Sequence, residues 1–372
     1  MNFFMRICLF SAISSLASSI TYCESIKDPM DLSFQEIVEQ YYADQPVYIG
    51  GTSGLKKKSF TSGLLNKEFN YITPENDFKH QMVHPRPGVW KWDAADAWIE
   101  NAVEHDQVVR LHGPISPQCS TWAKQDDRTA QELLISMVDF MTAQCKRYND
   151  VPQVRWMDVV NETIDKDSYD WFGPKPGTDR WENPWTTIGF DKTHPLEPPL
   201  YIGFAFHIAN RYAPNIDLII NQHGSVRPRL WDKIFALVDY LRQHKGLRVD
   251  GIGWQAHVDL AWEKTGDNLT DLADLIDRAH AKDLSFHITE NNVWLKRKKD
   301  YEGQAETFAA ILGVLLSKRS TGEVSWNVWN LSDADSWANM REFDGCIFDY
   351  DYQPKPAYFA LKKVLIESAS SD

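Results

Sequence analysis

The chain has 372 residues and a formal net charge of −13. That length suits one large core, and that charge disfavours nucleic acid or an anionic membrane as a partner and suits a neutral substrate. The 15 Trp, 14 Tyr and 18 Phe provide rings that stack on sugar faces, although such rings fill cores equally well.

The first 23 residues read as a secretory signal. Arg6 is the only charge before Glu24, and the apolar, Ser-rich stretch after it is too short and too polar to span a bilayer. A secreted, periplasmic or cell-surface protein is expected, with no stable membrane insertion once the signal is removed. Cys23 offers an alternative lipid attachment point, although Tyr22 before it fits that pattern poorly. Residues 24–372 then form a single domain. They keep Cys119, Cys145 and Cys346, which allows one disulfide and one free thiol without choosing the pair. No CxxC pattern supports a metal site, and no glycine-rich loop supports a nucleotide. No cofactor is expected, and the protein should act as a monomer.

From there a short apolar strand alternates with a longer helical pattern. Strands are predicted at 47–50, 69–73, 108–111, 154–159, 218–221, 251–255, 285–289 and 323–329. Helices are predicted at 130–148, 199–212, 229–244, 269–281 and 303–318, where apolar residues recur at helical spacing. Eight such units imply an α/β fold of the (β/α)8 TIM barrel type. The longest unpatterned piece, 166–198, carries Trp171, Trp181 and Trp185, which are read equally as loop packing or sugar stacking. The runs Lys56-Lys57-Lys58 and Lys296-Arg297-Lys298-Lys299 are read as solvated turns.

Polar residues gather at one end of strands two to eight, which in such a barrel is the catalytic face. Two of these strand ends finish on a carboxylate, Asp158-Val159-Val160-Asn161-Glu162 and Ile288-Thr289-Glu290. A pair of carboxyls is what cleavage of a glycosidic bond requires. The others supply Glu75, Asn76 and Lys79 after strand two, His112 and Gln118 after strand three, and Asn221-Gln222-His223 after strand five. Gln255 and His257 follow from strand six, and Trp329 and Trp337 from strand eight.

From Val47 to Leu365 the chain resembles glycoside hydrolase family 10, the endo-β-1,4-xylanases. The resemblance rests on Phe69-Asn70-x-x-Thr73-Pro74-Glu75-Asn76-x-x-Lys79, the two carboxylate motifs, and Gly251-Ile252-Gly253-x-Gln255-x-His257. Trp329-x-x-x-Asp333-x-x-Ser336-Trp337 and Tyr352-x-Pro354-Lys355-Pro356-Ala357-Tyr358 complete it. It implies a retaining, double-displacement hydrolase of a polysaccharide, with Glu162 as acid and then base and Glu290 as nucleophile. Their carboxyls would lie about 5–5.5 Å apart. It further implies that Asn161 binds the sugar 2-hydroxyl and that His257 orients the nucleophile. Glu75, Asn76 and Lys79 would hold the next sugar on the non-reducing side, and Trp329 and Trp337 would wall the site.

The chain also departs from that pattern. After strand three, the family's Gly-His-Thr-Leu-x-Trp-His-x-Gln reads Leu111-His112-Gly113-Pro114-Ile115-Ser116-Pro117-Gln118, so a Trp-His pair beside the reacting sugar becomes Ser116-Pro117. Asn-Asp-Tyr-Asn after strand five becomes Asn221-Gln222-His223-Gly224, and Leu-Asp after the nucleophile becomes Asn291-Asn292. A carboxylate at 292 would stabilise a charged His257, which an amide cannot do as well. A xylanase with a rebuilt reacting-sugar subsite is expected. A hydrolase of another β-linked glycan, hexose-based or substituted, is the second reading, and a non-catalytic glycan-binding protein is the third.

Overall fold

The computed structural model describes residues 28–177, 181–337 and 340–370; the expected signal at 1–23 lies outside them. Nine strands run in chain order: β1 (Val47–Ser53), β2 (Tyr71–Pro74), β3 (Val108–Leu111), β4 (Val154–Asn161), β5 (Asp217–His223), β6 (Gly251–Gln255), β7 (His257–Asp259), β8 (Ser285–Trp294) and β9 (Val324–Val328). β1 to β6 pair in order and in parallel, β6 pairs directly with β8, β8 with β9, and β9 returns to β1. The ring is therefore a closed parallel barrel of eight strands, the (β/α)8 fold.

Strand alternation builds two environments. Ile72, Val109, Met157, Ile220, Ile252, Phe286 and Trp326 join the helices in the main apolar core. The other parity meets inside the ring, where Arg110 reaches the Thr73 hydroxyl, Asp158 and the Thr289 carbonyl. A layer of Tyr71, Trp156 and Ile219 packs as a separate small cluster.

The sequence pattern does not reveal the short strand β7. It pairs with the end of β8, His257 opposite Asn292 and Asp259 opposite Trp294. Three residues carry too little pattern to read, and β8 extends beyond its predicted end to meet them. The predicted helix 229–244 also differs. It is α-helical over Pro228–Asp239 and then widens into a π-turn over Tyr240–His244, with the Lys245 amide donating to the Tyr240 carbonyl. The Tyr240 hydroxyl and Lys245 both engage the Asp191 carboxylate there.

Within the long segment after β4, Pro184–Ile188 forms a 3-10 turn. Its Trp185 is fully buried, stacks edge-on against His80 and donates to the Ser116 carbonyl, so this ring belongs to the core. Trp171 is half-buried beneath Lys233, and Trp181 is exposed.

Lys57 corrects the reading of its run as a solvated turn. Its ammonium lies 2.6 Å from the Glu75 carboxylate and 2.5 Å from Asn330 Oδ1, tying the loop after β1 to those after β2 and β9. The second run fits the solvated reading, with Lys296 and Arg297 in exposed pairs to Asp259 and Glu342.

Cys119, Cys145 and Cys346 are free and buried. Burial pushes the first two thiols up to about 12 and the third well above its usual value. A thiol reagent at pH 8 should therefore label none of the three in the folded protein and all of them in denaturant. Rapid labelling of the native protein would contradict this placement.

Candidate active site

A register shift lies at Glu290 and shortly before Glu162. The β4–β5 register shifts between Asp158 and Val160, and the β8–β9 register between Ile288 and Asn291. Such irregularities re-aim side chains at a barrel rim. Glu162 itself has φ 56°, a left-handed conformation that costs a side-chain-bearing residue about 1–3 kcal/mol. It is held by its amide, which donates to the Asn221 carbonyl at 2.9 Å. Glu162 and Glu290 are both buried, at 6 % and 4 % exposure.

An amide chain joins the two carboxylates. The Thr289 hydroxyl donates to Asn221 Oδ1 at 2.7 Å, which leaves Asn221 Nδ2 to donate to Asn161 Oδ1 and to Glu290 Oε1, at 2.9 and 3.0 Å. Gln255 Nε2 donates to the same Asn161 oxygen and to Glu162 Oε1, at 3.0 and 2.9 Å. With its oxygen doubly occupied, Asn161 keeps its Nδ2 free of protein partners among the described residues and available to a substrate hydroxyl. Gly253 is required here, because a Cβ would lie 2.6 Å from Asn221 Oδ1 and 2.7 Å from the Thr289 methyl.

Glu290 is the more heavily supported acid. His257 Nε2 lies 3.2 Å from its Oε2, and His112 Nε2 3.8 Å from its Oε1. The Asn292 amide donates to the carbonyls of Trp329 and Gly345, which turns its oxygen to His257 Nδ1 at 2.9 Å. The amide that replaces the family's aspartate thus still fixes the ring. Burial alone would raise the Glu290 carboxyl, but His112, His257 and Arg110 outweigh it and bring it to about 2, against a usual 4.5. Burial and Lys79 lower His112 itself, opposed by Glu290 and Asp158.

A nucleophile must be ionised, so activity should persist in acid well below the usual glutamate range. The stability linked to this ionisation is present above the unfolded value near 4.5 and is lost as pH falls toward 2. Urea titrations of wild type and Glu290→Gln between pH 2.5 and 6 should diverge most at the upper end; parallel curves would contradict the shift.

Beneath the carboxylates lies a buried charge set. Asp158 Oδ2 takes Arg110 at 2.7 Å and His112 Nδ1 at 2.8 Å. Lys79, also buried, donates to Asn76 Oδ1 and to Gln118 Oε1. Burial lowers its ammonium, opposed by Glu290, Glu162, Glu75 and Asp158. Trp329 stands edge-on to His112 and Trp337 edge-on to His257, with ring centroids 4.9 and 5.3 Å apart. Each residue predicted for the site therefore reaches the same barrel mouth. Glu75, Asn76, Lys79 and Gln118 lie on its β2–β3 side, Glu162 and Gln255 on its β4–β6 side. On the latter side a cavity of about 700 Å3 opens, lined by Gln255, His257, His223 and the loop after β4.

Arg110 and Asp158 escape the sequence reading of the site, as does the role of Asn221. A charge inside a β-prone apolar run, as in Val108-Val109-Arg110-Leu111 and Trp156-Met157-Asp158-Val159, is the signal that could have found the first two. Among the described residues, no group of three or more His, Cys, Asp or Glu is placed to hold a metal ion.

The profile of glycosyl hydrolase family 10 matches residues 37–364. Endo-1,4-beta-xylanase B of Thermotoga neapolitana is 28% identical over 321 residues, covering 82% of this chain and 83% of that protein. Endo-1,4-beta-xylanase A of Caldicellulosiruptor saccharolyticus is 25% identical over 362 residues, covering 91% and 97%. Against endo-1,4-beta-xylanase B of Neocallimastix patriciarum, at 29% identity, the match covers 90% of this chain but only 36% of the longer relative. The crystal structure of xylanase 10B from Thermotoga maritima superposes with a TM-score of 0.76 at 26% identity, covering 92% of this chain and all of that one. Sequence, barrel and paired carboxylates agree: the chain belongs to glycosyl hydrolase family 10.

Proposed function

We propose that this protein cleaves β-1,4-linked xylan internally with retention of configuration, Glu290 acting as nucleophile and Glu162 as acid and then base. The observation that carries this reading is the Glu162–Gln255–Asn161–Asn221–Glu290 hydrogen-bond chain, which holds two buried carboxyls at one barrel mouth. In the first step Glu290 attacks the anomeric carbon while Glu162 gives its proton to the leaving oxygen. In the second, Glu162 takes a proton from water, which hydrolyses the ester. Asn161 Nδ2 is suited to bind the hydroxyl next to the reacting carbon, and Glu75, Asn76 and Lys79 the sugar beyond it.

The buried Ser116, whose hydroxyl has no partner among the described residues, favours a second reading. Where the family keeps a Trp-His pair, the smaller Ser116-Pro117 changes what stands beside the reacting sugar, and changes of this kind alter discrimination by about 1–3 kcal/mol. Product profiling on linear xylan, substituted xylans and hexose-based β-glycans decides between the readings. Short xylo-oligosaccharides released as the β-anomer support the first; turnover of another glycan with silence on all xylans supports the second. Export through residues 1–23 is part of the proposal, and the mass of the mature chain from its natural host checks it.

A further inference from the structure

Two histidines address the nucleophile, and they are backed differently. The consequence rests on the retaining mechanism proposed above. His112 Nδ1 faces the Asp158 carboxylate at 2.8 Å. His257 Nδ1 instead faces the Asn292 amide oxygen at 2.9 Å, while its Nε2 faces Glu290 Oε2 at 3.2 Å. The amide cannot be turned round. Its Nδ2 donates to the Trp329 and Gly345 carbonyls at 2.9 and 3.3 Å, and a carbonyl can only accept. The pairing of β7 with β8 sets His257 opposite Asn292, so the ring is held from its backbone as well. Trp294 stacks on it at 5.9 Å, and Trp329 and Trp337 stand edge-on at 6.4 and 5.3 Å.

These contacts decide where the protons sit. Asn292 Oδ1 carries no hydrogen, so His257 Nδ1 must carry one. An ionised Glu290 carries none either, so a hydrogen bond between them needs a second hydrogen on Nε2, and the ring is then an imidazolium. Glu290 is ionised in the free enzyme: burial would raise it, but His112, His257 and Arg110 hold its carboxyl at about 2. Among the described residues, Glu290 is the one ion-pair partner of His257. Further along the same two strands, Asp259 and Lys296 pair with each other at 2.6 Å. The other groups against the ring are an amide and three indoles, all neutral. The cation thus depends on a single anion, and the reaction consumes that anion, because a glycosyl ester is neutral.

We propose that His257 changes charge within each catalytic cycle, losing its Nε2 proton when Glu290 becomes an ester and regaining it when Glu290 is released. In the first half, a Glu290 oxygen bonds to the anomeric carbon as the glycosidic bond breaks. The Glu162 proton goes to the leaving oxygen and the Nε2 proton to solvent. In the second half, water bonds to that carbon as the ester bond breaks. Glu162 takes the water proton, and Nε2 takes one from solvent beside the returning carboxylate. A carboxylate at 292 would keep the ring charged throughout, because an anion would remain beside it. The amide lets the charge on this positioning residue follow the charge on the nucleophile.

The test reads hydrogen on the two His257 nitrogens by NMR in isotope-labelled enzyme near neutral pH. Free enzyme is compared with enzyme trapped by dinitrophenyl 2-deoxy-2-fluoro-β-xylobioside. Mass spectrometry confirms the ester, and the spectrum of His257→Asn assigns the signals. Free wild type should carry hydrogen on both nitrogens, and the ester on Nδ1 alone. Asn292→Asp should keep both in both states. On dinitrophenyl xylobioside, where hydrolysis of the ester sets kcat, Asn292→Asp should hold its activity to a pH about 1–3 units higher than wild type. Should that variant fail to fold, the two wild-type spectra decide alone. A wild-type ester with both nitrogens protonated, or a free enzyme with one, would overturn the inference while leaving retention intact. Absence of any ester from an enzyme that hydrolyses xylan would instead overturn the double-displacement reading and this inference with it.

Discussion

Glu290→Ala should lower kcat on xylan by about 10⁴-fold or more, while the protein stays folded. Among the described residues, this carboxylate is the group at the barrel mouth that His257, Asn221 and His112 all address, so its removal takes away the atom for which that geometry is built. Without it no glycosyl ester forms, and water must displace the leaving sugar directly. The small space left by the side chain should accept azide or formate, which would restore turnover with inverted configuration. Glu162→Ala provides the complementary result. Activity on xylan should fall comparably, because a sugar leaving group needs a proton. An aryl glycoside with an acidic phenol needs none, so the ester should form and then accumulate, giving a burst followed by slow release. A burst from Glu162→Ala and none from Glu290→Ala fixes the two roles; the opposite pattern would exchange them, and substantial xylan hydrolysis by Glu290→Ala would remove it from the mechanism.

The second large effect is expected from Asp158→Asn. Arg110 and Asp158 are both fully excluded from solvent, and their contact is 2.7 Å. Burial alone would raise the Asp158 carboxyl, but Arg110 and His112 outweigh it and hold it below its usual value. Removing the negative partner strands a guanidinium inside the barrel, for which about 3–5 kcal/mol is expected. That is a large share of a domain stability of about 5–15 kcal/mol. Activity should fall as well, because His112 Nδ1 loses the anion that orients it beneath Glu290. Urea denaturation measures the first effect and kcat/KM the second. The double variant Arg110→Met with Asp158→Leu removes both charges and should be less destabilised than Asp158→Asn alone; equal loss would mean that packing rather than charge dominates. Since folding lowers the Asp158 pKa, the stability it contributes is present above its unfolded value, near 3.9, and is lost as the solution is acidified.

Strand order, helix positions and the two carboxylates are legible in the sequence because each depends on short-range pattern. A strand buried on both faces reads as a mainly apolar run, as at 108–111 and 251–255, where prediction and structure coincide. The helix at 130–148 announces itself through Thr129 and Glu132, which cap it reciprocally. The carboxylates stand out because an acid rarely ends such a run without a purpose.

Other features appear only when distant segments meet. Lys57 sits in a basic run that reads as solvated, and only closure of β9 onto β1 brings Asn330 to it. Strand β7 exists because β8 continues past Glu290 to pair with it, and that pairing alone sets His257 opposite Asn292. Arg110 and Asp158 are 48 residues apart in the chain and become partners because adjacent strands turn the same parity inward. The cavity beside the barrel mouth likewise draws Lys166, His223, Arg227 and Gln255 from the loop after β4, β5, the loop after β5, and β6. By itself the sequence determined the barrel, its catalytic face and its two acids, because periodicity and strand-end chemistry are local. The tertiary structure alone decided which polar groups compensate one another and which remain free for substrate, because burial and distance between remote residues set the electrostatic balance.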